Sequence, residues 1–243
     1  MANNSSNSSR TTAWFIVGFI VLVTAGAIIA GAMSSNSSSN GNSSSTANPN
    51  FVATVAPALT AADHVEGNAS ATVSLIEYGD FECPACAEYN PIVKQIVQNY
   101  GDKIAFSFRN FPLYTIHPFA GVSSQAAEAA GLEGGAAKYW AMNNLLYSKQ
   151  NEWSTNSALT PAQVVSQYLD GYAQSIGLDV NTFNNDMNAT SVAQKIQNDV
   201  TGGNTAQIDH TPTFFVNLVQ IENPQSLADF EKILNAAVAS STQ

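Results

Sequence analysis

Two cysteines stand three residues apart in Phe81-Glu82-Cys83-Pro84-Ala85-Cys86, and the 243-residue chain has no others. Thiols at that spacing can close a short disulfide, supply half of a zinc site, or exchange electrons with another thiol pair. The neighbouring residues help to choose. Pro84 suits the first position of a helix, where a missing N–H is no loss. Cys83 then falls at or beside the N-cap, its sulfur near unpaired N–H groups and the positive helix end. Both favour thiolate over thiol, so its pKa is expected to be lowered. Cys86 lies about one turn further on the same side. Cys83 is therefore expected as the exposed attacker and Cys86 as the shielded resolving thiol. Asp80 and Glu82 flank Cys83; close and charged they would raise its pKa, while as solvated or strand-end acids they would leave it alone.

The other readings fit less well. Zinc would need two more ligands, and His64, His117 and His210 are scattered singly. A disulfide across so short a loop removes little chain entropy, which argues against a purely structural bond. Copper capture calls for added Met or His near the pair, and Met142 and His117 have no spacing that suggests it. No metal and no cofactor are expected.

The flanking elements place the pair. Ala71 to Tyr78, rich in β-branched and apolar residues, reads as a buried strand ended by Gly79 and Asp80. After the cysteines, Ile92, Val93, Ile96, Val97 and Tyr100 recur at three and four, with Gly101 at the helix stop and Pro91 as a kink. Ile104, Phe106 and Phe108 alternate with Ala105, Ser107 and Arg109 as a second strand. The pair thus sits at a strand-to-helix turn in a β-α-β unit. Residues 117–205 read as helical: an Ala-rich run near 125–130, then Tyr139, Trp140, Met142, Leu145, Leu146 and Tyr147 as core positions. Thr160 caps a helix from Pro161 to Ile176, and a third ends near Gly202-Gly203. His117 is expected at the entry to this region, facing solvent or capping. Phe214 to Val216 read as a strand with Pro212 before it. Ser226 to Ala239 form a closing helix, with Ser226 and Asp229 as a capping box.

Composition bounds the rest. Apart from Arg10 no charged residue precedes Asp63, leaving 7 basic and 18 acidic groups on the remaining 181 residues. So acidic a domain lacks the clustered cations that bind nucleic acid. Residues 1–12 are polar, and residues 13–33 run without a charge. As a helix they would span ~31 Å, enough for a ~30 Å bilayer core. With Arg10 before it, a transmembrane helix would keep 1–12 cytoplasmic and export the rest. Ala30-Gly31-Ala32 also fits a signal-peptide cleavage site, although the apolar run exceeds the usual ~7–15 residues. Residues 34–67 read as a Ser/Asn-rich linker, with Phe51 to Ala62 either linker or a loosely docked arm, and the folded domain spans 68–243. The Asn-x-Ser/Thr sequons, including those at Asn68 and Asn188, follow from a Ser/Asn-rich chain by chance.

Three stretches together resemble the DsbA-like thioredoxin-fold thiol-disulfide oxidoreductases: Phe81 to Cys86, Phe106-Ser-Phe-Arg-Asn-Phe-Pro-Leu113, and Thr211-Pro-Thr-Phe-Phe-Val-Asn217. Their order and separation match over roughly 68–240. The resemblance implies an α/β thioredoxin-like fold with a helical insertion at about 117–205. It implies that Pro212 is cis and packs beside the cysteines, shaping with Thr211, Pro84 and Ala85 a groove for an extended client. Two departures stand out. Pro84-Ala85 lacks the histidine of strongly oxidising members, and Asn217-Leu218-Val219 lacks the usual turn glycine, which predicts a longer or distorted connection.

The expected function is extracytoplasmic dithiol–disulfide exchange, forming disulfides in reduced or unfolded exported proteins, with a membrane redox partner to recycle the pair. A reductase or isomerase of the same fold, and a non-catalytic client- or copper-binding module, remain as alternatives.

Overall fold

The computed structural model describes residues 51–241. The expected membrane helix at 13–33 and the polar segments around it lie outside these residues. Among the described residues no helix is long and apolar enough to cross a membrane.

The alternation read from sequence produces β3 (Val73–Gly79) and β4 (Ile104–Asn110), which pair in parallel with Glu77 opposite Phe108. The parallel pair is bridged by α1 (Pro84–Tyr100). β5 (Thr213–Val216) lies antiparallel against the other edge of β3 and turns into β6 (Val219–Ile221). Two further strands come from residues expected as linker: β1 (Phe51–Val55) pairs with β6, and β2 (Val65–Gly67) pairs with β4. The sheet order is β1-β6-β5-β3-β4-β2.

The linker expectation for 51–67 is thus corrected: these residues are part of the fold. The physical reasons are edge pairing to β6 and β4 and one buried cation. Arg109 donates from Nε and Nη2 to the two oxygens of Asp63, at 2.8 and 3.0 Å. It also donates to the carbonyls of Pro57 and Ala58 and to the Tyr78 hydroxyl. Such a clamp depends on tertiary pairing, and no local periodicity announces it.

The insertion is helical, as expected. It comprises α2 (Ala120–Ser148, broken at Gly135 with φ 70°), α3 (Gln150–Trp153), α4 (Pro161–Val164), α5 (Asp170–Ser175), α6 (Val180–Met187) and α7 (Thr190–Thr205). Thr160 and Gln163 form a capping box, and a π-helical stretch, Val165–Leu169, joins α4 to α5. Gly202 and Gly203 lie inside α7 rather than ending it. Tyr78 and Phe111 pack so closely that a Cβ at Gly203 would stand 2.6 Å from the Phe111 ring. The chain closes with α8 (Leu227–Ser241), where the Ser226 hydroxyl accepts from the Asp229 N–H at 3.2 Å.

Strand alternation sorts the core into two clusters. Val73 and Leu75 of β3 join the larger one, with α1, α2 and α8. Ile76 and Tyr78 face a smaller cluster with Ala56, Phe111, Ala206, Ile208 and Phe215. The β5–β6 turn corrects another expectation. Val216 pairs with Val219 across a two-residue turn, with φ 48° at Asn217 and 70° at Leu218. Asn217 tolerates that region, and its Oδ1 accepts from the Ser74 N–H while its own N–H donates to the Ser74 carbonyl. The turn needs no glycine because it is pinned to β3.

Candidate active site

Phe81 anchors the turn between β3 and α1. It is fully buried, with ring centroids 4.8 Å from Phe108 and 5.0 Å from Tyr147. Burial of that size is worth ~2–3 kcal/mol, enough to fix where the next residues emerge. Cys83 is the extended N-cap of α1 and Pro84 its first residue. The Thr211–Pro212 peptide is cis, and Cys83 Sγ lies 3.4 Å from the Thr211 carbonyl oxygen. The Pro212 carbonyl is held by Asn223 Nδ2 at 2.8 Å. Cys83, Cys86, Pro84, Ala85, Thr211 and Pro212, distant in sequence, therefore meet at one place.

The two sulfurs differ in environment. Cys83 is 7% exposed and Cys86 fully buried, and both thiols are free. The Cys83 pKa is lowered to about 5, first by a hydrogen bond from Cys86, then by Thr211 and the N–H groups of Cys86 and Ala85, with burial opposing. The Thr211 hydroxyl is buried without a partner, so it is free to donate to a thiolate. Cys86 moves the other way: burial first, then its hydrogen bond to Cys83 and the charge of Glu77, raise it well above the ordinary thiol value. One sulfur is a thiolate at neutral pH and the other a thiol, the division of labour that exchange requires.

Asp80 and Glu82 do other work than expected. Asp80 is fully buried; its Oδ1 accepts from the Glu82 N–H, and its Oδ2 accepts from the Leu113 N–H and meets His117 Nδ1 at 2.7 Å. Glu82 Oε2 accepts from the Phe119 N–H at 2.6 Å. The two acids pin residues 113–119 beside the cysteine turn, and neither is a solvated surface acid. His117 is held by Asp80 instead of facing solvent or capping.

Several residues at the site were not picked out by the sequence reading. Gln150 Nε2 donates to the Phe81 and Cys83 carbonyls at 2.8 and 3.0 Å, so the helical insertion clamps the turn. Tyr147 adds a bond to the Asp80 carbonyl. Glu77 is 3% exposed beneath the thiols, with Oε1 unpaired. Burial, then the Cys83 charge, raise its pKa to about 8. Its signal was present: Val73 and Leu75 set one face of β3, and the next residue on that face is a glutamate. No comparable signal marks Gln150. Among the described residues no group of three or more His, Cys, Asp or Glu could hold a metal ion.

Comparison with known proteins gives a consistent frame. A family model described as Thioredoxin matches residues 59–236. The fold is similar to oxidised BdbD from Bacillus subtilis (TM-score 0.66, 21% identity, 78% of this chain and 99% of that one). It is also similar to alpha-DsbA1 of Wolbachia pipientis (TM-score 0.65, 20% identity, 76% and 94%) and to DsbA2 of Pseudomonas aeruginosa (TM-score 0.57, 24% identity, 74% and 94%). Among curated relatives, Na(+)/H(+) antiporter NhaA 1 of Salinispora arenicola is 38% identical over 155 residues, 64% of this chain and 22% of that protein. Na(+)/H(+) antiporter NhaA 3 of Salinispora tropica is 33% identical over 178 residues, 73% of this chain and 25% of that protein. The chain spans about a quarter of the length of these curated relatives.

Proposed function

We propose a function from one premise: the chain belongs to the thioredoxin family. It is a protein dithiol–disulfide oxidoreductase that works through Cys83 and Cys86, and its net direction is to oxidise exported clients. The carrying observation is the split between a Cys83 thiolate with pKa about 5 and a buried Cys86 thiol.

In the oxidised enzyme a client thiolate attacks Cys83 Sγ, the Cys83–Cys86 bond breaks, and Cys86 leaves as a thiolate that takes a proton from Glu77. A second client thiolate then attacks the client sulfur of the mixed disulfide, and Cys83 leaves as a stable thiolate. The client loses two electrons and the pair gains them. A partner disulfide at the membrane takes them back: Cys83 attacks it, Cys86 gives its proton to Glu77, and its thiolate closes the pair. The client lies as an added strand along the Thr211–Pro212 edge.

The direction rests on stabilisation of the reduced form. At pH 7 a thiolate with pKa near 5 favours the dithiol by up to roughly 3 kcal/mol over an unperturbed thiol, or ~60 mV. Solvent at the mouth of the site reduces that figure. The reference potentials of thioredoxin and DsbA differ by ~150 mV, so the shift is a substantial part of the distance toward an oxidant. Location follows from residues 13–33, read as an anchor with the domain outside the cytoplasm. The curated relatives support work at a membrane, since an Na(+)/H(+) antiporter operates across one.

Two measurements test this reading. Equilibration with a glutathione redox buffer should give a potential well above thioredoxin's ~−270 mV; a value at or below it makes the chain a reductase. Cys83→Ser should reduce oxidation of a reduced, unfolded client to the uncatalysed rate. Survival of catalysis in that variant would refute the assignment of Cys83 as the attacking thiol.

A further inference from the structure

Three carbonyls of the cysteine turn are held from the helical insertion. The Tyr147 hydroxyl donates to the Asp80 carbonyl at 3.4 Å, and Gln150 Nε2 donates to those of Phe81 and Cys83 at 2.8 and 3.0 Å. Only the nitrogen of the Gln150 amide can serve two carbonyls, so the direction of that amide is fixed. The side chain is 7% exposed and belongs to α3, which Trp153 anchors. Trp153 is fully buried and donates from Nε1 to the Leu146 carbonyl at 3.0 Å. The Cys83 carbonyl also accepts the Ala87 N–H at 3.2 Å, the first bond of α1. Gln150 therefore grips the peptide that joins the extended N-cap, ψ 121°, to the helix. That peptide sets how Cys83 Sγ stands against the N–H groups of Ala85 and Cys86, both of which bond to it. The amide is neutral, so it holds the carbonyls without adding a charge of its own beside the sulfur.

We propose that Gln150 is a positioning residue for the redox step: by holding the Phe81 and Cys83 carbonyls it keeps the Ala85 and Cys86 N–H groups on Cys83 Sγ, and so sets how strongly the reduced pair is favoured.

The inference rests on the exchange reading above and gives the insertion, which supplies neither sulfur, a part in it. In reduction by glutathione, one glutathione thiolate attacks Cys83 Sγ, the Cys83–Cys86 bond breaks, and Cys86 takes up a proton. A second glutathione thiolate attacks the glutathione sulfur of the mixed disulfide, and Cys83 leaves as thiolate. Two glutathione thiols give two electrons to the pair; of their two protons, one ends on Cys86 and one goes to solvent. The charge that appears on Cys83 is where the Ala85 and Cys86 N–H groups act. A turn released from Gln150 rotates that peptide and loses one of these bonds. A hydrogen bond to a charged group is worth about tenfold or more in an equilibrium, so the loss is read directly in the redox balance. The ionisable neighbours of Cys83 include Cys86 from its own helix, Glu77 from β3 and Tyr147 from α2. Replacing Gln150 changes none of them.

The test uses the full chain equilibrated with reduced and oxidised glutathione. Gln150→Met keeps the length of the side chain and removes both donors. Its equilibrium constant for reduction should fall about 10-fold, which is ~30 mV toward a reductant. The pH midpoint of thiolate absorbance should rise by about one unit. Phe183→Leu, in α6, thins the insertion core and holds neither carbonyl. It should lower stability and leave both values as in wild type. Wild-type values in Gln150→Met, whether or not stability falls, would overturn the proposal, and so would an equal shift in Phe183→Leu. Failure of the wild type to exchange with glutathione at all would overturn the exchange reading instead. Should Gln150→Met not fold, nuclear magnetic resonance of the wild type decides. The Gln150 side-chain amide, assigned through its own backbone, should follow the Cys83 midpoint in the reduced protein and shift again on oxidation. An amide signal that ignores both refutes the proposal.

Discussion

Two groups of buried charge lie on opposite faces of the same sheet, and they behave oppositely. On the smaller-core face Arg109 is held by five hydrogen bonds to four residues, with Asp63 taking two of them. At the adjoining strand end Lys195 pairs with Asp199 at 2.7 Å, and Glu128 accepts from Asn110 Nδ2 and meets His64. There every carboxylate oxygen has a partner. On the larger-core face Glu77 has Oε1 unpaired and two thiols for neighbours. The side chains of Asp63 and Glu77 are similarly buried, and partnership separates them: burial pushes both carboxyls up, but the bonds and charge of Arg109 bring Asp63 below its ordinary value. A saturated charge locks a chain segment in place; an unsaturated one has its pKa pushed to about 8, where it can exchange protons.

The largest test breaks the saturated side. Arg109→Ala leaves Asp63 buried without its cation and releases the carbonyls of Pro57 and Ala58. Removing one partner of a buried pair costs about 3–5 kcal/mol, so chemical denaturation should show a loss of that order, with early proteolysis within 56–63. The Cys83 pKa, followed by thiolate absorbance, should not move. The double variant Arg109→Met with Asp63→Leu should recover much of the loss, since replacing a buried pair by apolar groups is near neutral. A Cys83 pKa that moves in Arg109→Ala would show that the two charge groups are coupled and the contrast false.

The second test works on the unsaturated side through pH. The folded pKa of Glu77 is raised above its unfolded ~4.3, so the native state holds the extra proton. Its contribution to stability is therefore full below that value and is lost as pH rises to about 8. Cys83 runs the other way. Its folded pKa, about 5, lies below the unfolded ~8.5, so its contribution grows between those values. In the reduced protein the two trends offset each other and stability should be nearly flat from pH 5 to 8. Glu77→Gln should unmask a rise and Cys83→Ser a fall, each on the order of 3 kcal/mol across that window. Denaturant midpoints at a series of pH values read both slopes. Parallel slopes in the two variants would refute the assignment of opposite shifts.

The same contrast explains what could be read from sequence. The β-α-β unit, the cysteines at the start of α1, the insertion at 117–205 and the capped helices at Thr160 and Ser226 depend on local spacing and end signals. Those are written in contiguous residues. Residues 51–67 carry no local sign of more than a linker or loosely docked arm, because their place depends on Arg109, some fifty positions away, and on edge pairing with β6 and β4. Asp80 and Glu82 were found beside Cys83, yet strand and turn geometry sends their carboxylates toward Leu113, His117 and Phe119. Gln150 escaped notice because one glutamine in a helical region carries no local mark of the carbonyls it will meet. Glu77 was readable in principle, as a charge at a core register position of β3.

The smallest test concerns the turn where a glycine was expected. Asn217 holds φ 48° and accepts from the Ser74 N–H at 3.0 Å, so it supplies both backbone tolerance and a tie to β3. Asn217→Ala removes both, at about 1 kcal/mol for the left-handed backbone and about 1 kcal/mol for the hydrogen bond. Asn217→Gly removes only the second. Thermal or chemical denaturation should therefore rank wild type above Asn217→Gly and Asn217→Ala last. The exchange rate with glutathione should be alike in all three, because the turn only fastens strands. A change in that rate without a change in stability would mean that the β5–β6 hairpin governs the Thr211–Pro212 edge, and that fastening and chemistry are not separable on this sheet.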